Sequence, residues 1–466
     1  MIVKKQILGG LGIYFVIRLF SYFYSPGTPL YGANPINWIV SATILLAAVY
    51  FLLKKDPRGW LIIAAELILG GAGGFLEIKS ISLRTILLVF SIIIFICQTL
   101  KNKRYDTIFA NKTLLLIFVA LFTAVGISAI HGYYAGHNPN LILADTIPYF
   151  FFLYYFPLKQ LLDSEKFREI SFSMLVAAII GNFIFIYLTL AGFSSGHFIL
   201  QDSYYHWFRD VASGKITDYG TGFFRILLNE QLLLVPLFLW LISTQINKQD
   251  SKNFIFKISG AALLAVLTIN ITRIYLVALA AGILFLFSLK NWKRWLAYSA
   301  GAFIFFIFAF SLTHLAATKG KSLGWEYLGL RLQSIALPQT EDSSLSRLLL
   351  LPNILGKIKA HPLLGNGLGD TVTVYSPVFK ANITTPHFDW GYLEIIDELG
   401  LIGLIAWILV IGYLIPARPA GGLKVKQNRG LLASVVALLV INITSPALFH
   451  VLGIVLIIYV LSSHKE

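Results

Sequence analysis

The sequence predicts an all-α integral membrane protein with about 12–14 transmembrane helices, and two observations support this fold class. Of its 466 residues, 57% are hydrophobic and 13% are charged, whereas a soluble domain has about 25% charged residues. Runs of about 20 apolar residues recur along nearly the whole chain, which is the pattern of helical spans rather than of an outer-membrane barrel. The first run, Ile7 to Tyr24, lacks a small-residue cleavage site and is predicted to be a span.

The predicted spans follow one another through mostly short polar connections. They lie near residues 7–24, 36–53, 59–76, 82–99, 113–130, 145–161, 171–193, 223–243, 256–270, 272–289, 295–314, 392–414, 430–445 and 448–463. The stretch 256–289 could also form one long helix. Two connections are long, at about 191–221 and 316–389. The second is predicted to contain a helix on the membrane surface.

Charge alternates between successive connections. One set contains "KKDPR", "KNKR", "KNWKR" and, with the chain ends, 23 of the 37 Lys and Arg residues, whereas short connections of the other set, "SPGTPLYGANP" and "HGYYAGHNPN", contain none. Basic residues in short loops stay in the cytoplasm. The sequence therefore predicts cytoplasmic termini and three segments: N-terminal transmembrane helices (1–315), a large periplasmic or external loop (316–390) and C-terminal transmembrane helices (391–466).

The net charge of +15 and the single cysteine, Cys97, exclude some classes of function. Nucleic-acid binding needs a basic face on a soluble domain, but here the basic residues lie mostly between spans. One cysteine forms no intramolecular disulfide and no cysteine-based metal site. The G-x-G-x-G spacing of "GNGLGD" lacks the preceding strand of a nucleotide site. We expect no cofactor and no metal.

Three arginines and one histidine are predicted to lie at the external membrane surface. Arg225 is just inside the eighth span, Arg273 is at the end of the tenth, Arg347 starts the surface helix, and His387 precedes the twelfth span. Together they suggest a site for an anionic group carried on a lipid. Each also has an ordinary explanation, because arginines at span ends reach to headgroups and interfacial histidines are mostly packed or solvated.

Carboxylates begin the twelfth span at unusual density. Glu394, Asp397 and Glu398 have i, i+3 and i+4 spacing, which puts them on one helix face. Charged groups in a membrane cost about 2.5–3.5 kcal/mol each on insertion scales, so this face must meet protein or water. Ion pairing with Arg225 or Arg273 is the simplest structural explanation for Glu394 and Asp397.

The stretch "SRLLLLPNILGKIKAHPLLGNGLGD…TTPHFDWGYLEIIDELGLIGL" resembles the signature region of the O-antigen polymerase and O-antigen ligase superfamily. The matching positions are Arg347, His361–Gly369, His387 and Glu398–Leu404, and two earlier family motifs resemble Thr272-Arg273 and Arg225 with Asn229. Phe388 and Asp389 follow the histidine where the family commonly has asparagine. The resemblance covers roughly residues 222–404.

The resemblance implies a GT-C-like membrane glycosyltransferase. Such proteins take a glycan from an undecaprenyl-pyrophosphate carrier on the outer face of the bacterial inner membrane. They pass it to an acceptor sugar hydroxyl, with inversion and without a metal. It implies catalytic roles for His387, Arg273 and Arg225, with Arg347, Glu398 and Asp389 binding substrate. The implied partners are the carrier-linked glycan, an acceptor glycan or lipid, membrane lipids and a chain-length regulator.

Several functions remain open at this stage. Within the superfamily they are an O-antigen-type polymerase, a ligase to lipid A core and a protein O-oligosaccharyltransferase. A lipid-linked glycan transporter would instead show symmetric halves and broken helices in matching positions, and the sequence contains no such repeat. A non-catalytic scaffold would leave the buried charges unexplained. Aromatic residues near the long connections could stack on sugars or anchor the protein in the membrane: Tyr204, Tyr205, Trp207, Trp325 and Tyr375.

Overall fold

The computed structural model describes residues 2–25, 35–103, 111–247, 254–337, 342–376, 380–414 and 423–463. Helices α1 to α4 cover Ile2–Tyr24, Pro35–Leu53, Arg58–Leu69 and Leu83–Lys101. Helices α5 to α9 cover Lys112–Tyr134, Pro139–Phe150, Tyr155–Leu161, Glu165–Ser195 and Ser203–Asp210. Helices α10 to α13 cover Leu234–Ile246, Phe254–Asn270, Arg273–Phe285 and Trp292–Ala317. Helices α14 to α18 cover Trp325–Ala336, Asp342–Ala360, Gly391–Leu414, Leu423–Ile441 and Val451–Ser463.

The described strands form three short antiparallel pairs. Strand β1 (Glu77–Ile78) pairs with β2 (Ile81–Ser82), β3 (Gly214–Asp218) with β4 (Phe224–Leu228), and β5 (Val372–Ser376) with β6 (Ala381–Thr385). With so little sheet, the protein is an all-α integral membrane protein, as the composition predicts.

Eight described helical segments are long and apolar enough to cross a membrane, and all eight coincide with predicted spans. Four shorter apolar helices fall in four further predicted spans: Phe254–Asn270, Arg273–Phe285, Arg429–Ile441 and Val451–Ser463. The stretch 256–289 is thus two helices. The chain is a multi-pass membrane protein.

The predictions for residues 59–76 and 223–243 are wrong in part. Helix α3 ends at Leu69, where the glycine-rich "GGAGG" begins and Gly71 takes a φ of +65°, because glycines weaken a helix. Residues 224–228 form strand β4, and the helix starts only at Leu234. Apolar runs of this length do not distinguish strand from helix. Arg225 therefore lies on a β-hairpin and not inside a membrane helix.

The chain forms two compact units. The first contains Met1–Gln98, Pro157–Thr272 and Ile283–Glu326, and the second contains Thr99–Phe156, Arg273–Gly282 and Tyr327–Glu466. In the first, α1 packs along α8, and a Cβ atom on Gly10 would lie 2.7 Å from the Cβ of Ala177. Such small residues let membrane helices approach closely. The predicted division into N-terminal spans, an external loop and C-terminal spans describes position relative to the membrane and not compact units, and it stays a prediction.

A buried ion pair lies inside the first unit. The Arg18 guanidinium donates to Glu230 Oε2 at 2.7 Å, and the Tyr14 hydroxyl donates to Glu230 Oε1 at 2.9 Å. Asn182 also donates to this carboxylate. Paired charges are what an apolar interior tolerates, so this network joins α1 and α8 to the turn after β4.

In the second unit, helix α15 and the β5–β6 hairpin form a small apolar core with the chain that enters α16. Leu350, Ile354, Val372 and Phe388 are its buried members. Helix α16 then packs against α5. A helix, α15, is thus present where the surface helix was predicted, and one face of it is buried against the entry to α16. Its position on the membrane surface stays a prediction.

Candidate functional site

The structure explains how His387 is held at the start of α16. Its neighbour Phe388 is fully buried in the core beneath α15, whereas the His387 side chain is 59% exposed. A buried aromatic ring contributes about 1.5–3 kcal/mol. Phe388 therefore anchors this segment and leaves the imidazole accessible.

Glu394, one turn into α16, faces His387. Its Oε1 lies 3.4 Å from His387 Nδ1, its Oε2 accepts from the Phe388 N–H at 3.3 Å, and its side chain is 1% exposed. The hydrogen bond to Glu394 raises the pKa of His387 above its usual range; burial opposes this shift, and the charges of Glu394, Asp145 and Asp389 reinforce it. A neutral imidazole that donates from Nδ1 carries its lone pair on Nε2. The pair can therefore accept a proton at Nε2 of a side chain that is mostly exposed.

Asp389 and Arg347 form an ion pair beside this histidine. Arg347 Nε lies 3.2 Å from Asp389 Oδ2, with 28% and 50% of the two side chains exposed. Asp389 has a φ of +57°, which aspartate tolerates better than most residues. The Trp390 indole donates to the Arg347 carbonyl at 3.1 Å. These contacts attach α15 to the entry of α16, so the predicted site residues Arg347, His387 and Asp389 belong to one local arrangement.

The carboxylate face of α16 is buried within the second unit, as its spacing predicts. Glu394, Asp397 and Glu398 are 1%, 0% and 3% exposed. Asn366 Nδ2 donates to Asp397 Oδ1 at 2.9 Å. Glu394 and Asp397 thus find hydrogen-bond partners inside their own unit.

Helix α16 is broken at Gly400, which has φ +68° and ψ −171°. A Cβ there would lie 2.1 Å from the Leu363 carbonyl oxygen. Gly365 and Gly367, in the "HPLLGNGLGD" segment, also have positive φ. A Cβ on Gly365 would lie 2.5 Å from the Glu398 carbonyl oxygen. The glycines of the two motifs therefore permit close backbone contact between them.

The loop segment 361–369 satisfies the backbone groups that this break leaves open. The N–H of Asn366 donates to the Asp397 carbonyl at 2.6 Å, and that of Gly367 to the Glu398 carbonyl at 3.2 Å. In the other direction, the N–H of Leu401 donates to the Pro362 carbonyl at 3.0 Å. Unpaired backbone groups are costly in an apolar environment. The segment 361–369 thus has a structural role. That it is not a nucleotide-binding site stays a prediction.

Arg273 is the first residue of α12, at a helix end as predicted. Its NH1 donates to the Ser334 carbonyl on α14 at 3.2 Å, within the second unit. The same α14 contains Arg331, which is 6% exposed and donates from Nε to the Tyr327 hydroxyl at 3.1 Å. Arg273 is half-buried.

Arg225 lies in the first unit, on β4. Its Nε donates to the Asn270 carbonyl at 2.7 Å and its NH2 to the Thr272 hydroxyl at 2.9 Å. The structure corrects its predicted location, since a hairpin and not a membrane helix carries it. The turns at Gly220 and Gly222, both with positive φ, allow this hairpin.

The aromatic residues divide into packed and exposed groups. Trp207 is 2% exposed, and Tyr204 stacks on Phe198 with ring centroids 4.2 Å apart. Trp207 is therefore core, neither a membrane anchor nor a sugar platform. Trp325 and Tyr375 are 48% and 57% exposed and remain available for either role.

Sequence reasoning missed Asp145, Arg18 and Asn270. Asp145 is a single acid in an apolar run, and Arg18 is a single cation inside the first predicted span. Both are intramembrane charges, which by themselves mark positions of interest. Their hydrogen-bond partners, the Gly369 N–H and the Glu230 carboxylate, are far away in the chain, so spacing could not reveal the pairs. In the described parts of the chain, no group of three or more His, Cys, Asp or Glu side chains could hold a metal ion.

A known protein family matches the part of the chain that contains several of these residues. Residues 258–408 match the family described as O-antigen ligase. This match covers about a third of the chain and includes Arg273, Arg347, His387 and Glu398, whereas Arg225 lies outside it. It confirms the resemblance to the O-antigen polymerase and ligase superfamily. Comparisons with the curated proteins and with the solved structures give no match.

Proposed function

We propose that this protein is an inverting, metal-independent glycosyltransferase that polymerises an O-antigen-type polysaccharide. It takes the glycan from an undecaprenyl-pyrophosphate carrier and passes it to an acceptor sugar hydroxyl. The site faces the periplasm or exterior, and both termini lie in the cytoplasm. The observation that supports this proposal best is the exposed His387 backed by buried Glu394, inside the region that matches the O-antigen ligase family.

In the proposed reaction, His387 is the general base. Its Nε2 takes the proton of the acceptor hydroxyl as that oxygen attacks the anomeric carbon from the face opposite the carrier. The bond from the anomeric carbon to the pyrophosphate oxygen breaks, and the lipid pyrophosphate leaves. Glu394 stabilises the imidazolium that forms, because a carboxylate at 3.4 Å favours the charged ring. General-base catalysis of this kind contributes about 10²–10⁴-fold.

The leaving pyrophosphate needs fixed positive charge. Arginine suits this role because its planar fork matches phosphate oxygens, and we assign it to Arg225 and Arg273. Each has a backbone carbonyl as hydrogen-bond acceptor, which orients the guanidinium before substrate binds. Arg347 and Asp389 are assigned to substrate binding beside His387. Glu398 is assigned to orienting the α16 entry, a role that its burial supports.

An assay with the carrier-linked repeat alone tests this function. Purified protein should convert the lipid-linked repeat into a ladder of products that differ by one repeat. A product that forms only when lipid A core is added would identify a ligase, and one that forms only with an acceptor protein would identify a protein O-oligosaccharyltransferase. No new glycosidic bond with any of these acceptors would refute the proposal.

A lipid-linked glycan transporter is the second candidate, because α16 is broken and the first unit holds a buried ion pair. Transporters use broken helices to offer backbone groups to substrates. Around Gly400, however, the backbone groups of Asp397, Glu398 and Leu401 already bond to the loop segment 361–369, which favours the enzyme. In proteoliposomes, movement of labelled lipid-linked glycan between leaflets without bond formation would identify the transporter.

A further inference from the structure

The end of α11 and the turn after β4 share a buried network that ends on Arg225. All its members, Arg225, Gln231, Asn270 and Thr272, lie in the first unit. We propose that Asn270 and Gln231 are positioning residues that fix the Arg225 guanidinium for binding of the carrier's pyrophosphate. The inference deepens the proposed function and rests on the phosphate-binding role assigned to Arg225.

Asn270 contacts Arg225 in two ways. Its backbone carbonyl accepts from Arg225 Nε at 2.7 Å, which fixes one edge of the guanidinium. The second contact is indirect: Arg225 NH2 donates to Thr272 Oγ1 at 2.9 Å, and that hydroxyl donates to Asn270 Oδ1. The Asn270 amide therefore directs the hydroxyl proton of Thr272 away from Arg225, so that the lone pairs of Thr272 Oγ1 face the guanidinium.

Gln231 in turn fixes the orientation of the Asn270 amide. Asn270 Nδ2 donates to Gln231 Oε1, so the other end of the amide, Oδ1, must face Thr272. Asn270 and Gln231 are 0% and 1% exposed. The Asn270 amide is hydrogen-bonded at both ends, as a buried amide must be to be stable, and it cannot turn without breaking these bonds. The donor and acceptor directions thus agree along the whole path from Gln231 to Arg225.

The backbone at this turn is strained. Ile271, between Asn270 and Thr272, has a φ of +37° and is fully buried. A β-branched residue in the left-handed region is unfavourable, and such strain is concentrated at functional sites. The Thr272 N–H donates to Asn270 Oδ1 at 3.1 Å, which holds the turn in this conformation. A helix that needed only to end here would be served by glycine or asparagine with left-handed backbone, whereas here isoleucine takes that conformation and asparagine holds Thr272.

A purely structural role for Asn270 makes a different prediction from a positioning role. If Asn270 only ends α11, its loss lowers stability and the amount of folded protein, and the kinetics per folded molecule stay the same. If it positions Arg225, its loss lowers kcat/KM for the carrier-linked donor and leaves the KM of the acceptor unchanged. The effect must also disappear once Arg225 itself is gone.

The experiment compares Asn270→Ala, Gln231→Leu and Thr272→Val with a matched control. Asn37→Ala is that control, because Asn37 is also fully buried in the first unit, donates to the Phe75 carbonyl and accepts from Glu77 N–H. We expect the three test variants to lose about 10-fold in donor kcat/KM, the loss typical of one hydrogen bond to a charged group. Asn37→Ala should lower Tm without that loss. Thr272→Ser should restore the activity lost in Thr272→Val.

A double-mutant cycle with Arg225→Ala completes the test. In that background, Asn270→Ala should change the residual donor kcat/KM by less than about twofold. An equal loss with and without Arg225, or a normal donor kcat/KM in Thr272→Val, would overturn the positioning role. Thr272→Val decides the question if Asn270→Ala does not fold, because valine keeps the shape of threonine. Full activity in Arg225→Ala would instead refute the proposed role of Arg225, and this inference with it.

Discussion

His387 and Glu394 form a pair in which the imidazole is exposed and the carboxylate is buried, with Nδ1 3.4 Å from Oε1. The two residues belong to different local structures. His387 lies in the segment between strand β6 and helix α16, whereas Glu394 lies in the first turns of α16. The geometry of the proposed base therefore depends on the core beneath α15 that holds Phe388 between them.

Replacing His387 tests the base directly. His387→Gln should lower kcat/KM by about 10²–10⁴-fold, because glutamine keeps the size and polarity of the side chain but takes up no proton. Binding of the lipid-linked donor, measured separately, should be unchanged. A near-normal rate with the same pH profile would show that His387 is a structural interface residue.

Glu394 should set the pH at which the enzyme becomes active. A base works in its neutral form, so kcat/KM falls as the pH drops below the pKa of His387. That pKa is raised by the hydrogen bond to Glu394, so this acidic limb should lie above pH 6.5, the ordinary histidine value. Glu394→Gln removes the charge that favours imidazolium, and the limb should move to lower pH. Glu169→Gln, an exposed residue on α8, is the control. A limb that stayed in place would show that Glu394 does not control His387.

The same pair makes stability depend on pH. Since the pKa of His387 is raised in the folded state, the pair's contribution is fully present below the unfolded value of about 6.5. It is lost as the pH rises through the folded value. The difference in Tm between wild type and His387→Gln should therefore shrink as the pH rises across this window. A difference that grew with pH would contradict the raised pKa.

The break in α16 should tolerate no side chain at Gly400. Gly400→Ala should lower the free energy of unfolding by at least about 1–3 kcal/mol, the cost of a strained backbone conformation. The contact of its Cβ with the Leu363 carbonyl adds to this cost. Gly412→Ala, in the same helix, has open space around its Cβ and should be neutral or stabilising. Equal Tm values for the two variants would refute the close approach of loop and helix.

Cysteine labelling tests the membrane topology. In a Cys97→Ser background, Tyr375→Cys on the β5–β6 hairpin should react with an impermeant reagent from outside, because Tyr375 is 57% exposed and the hairpin belongs to the predicted external loop. Lys103→Cys, in the predicted cytoplasmic connection "KNKR", should react only after the cells are opened. The reverse pattern would overturn the predicted orientation.

Hydropathy predicted the helices well because a membrane span is a local property of about 20 consecutive residues. The i, i+3, i+4 spacing likewise predicted that Glu394, Asp397 and Glu398 share a buried face. Strand β4 was missed because its partner, β3, and the glycine turn between them decide its structure. Apolar residues such as Ile226 and Leu227 suit a strand and a helix equally.

The partners of the buried charges could not be predicted from one sequence. Arg18 and Glu230 are 212 positions apart, and Asp145 reaches Gly369 across 224. No periodicity connects such residues, and pairing depends on how the helices pack. The sequence indicates that Glu394 needs a partner. Only the buried position of Phe388 shows that this partner is His387.

The match between Gly400 and the loop segment 361–369 restricts how this protein can change in evolution. Each backbone hydrogen bond between this segment and α16 joins one residue of the loop to one residue of the helix. An inserted or deleted residue in 361–369 would shift every later bond by one position and leave carbonyls of α16 unpaired. We therefore expect this segment to keep a fixed number of residues in related proteins.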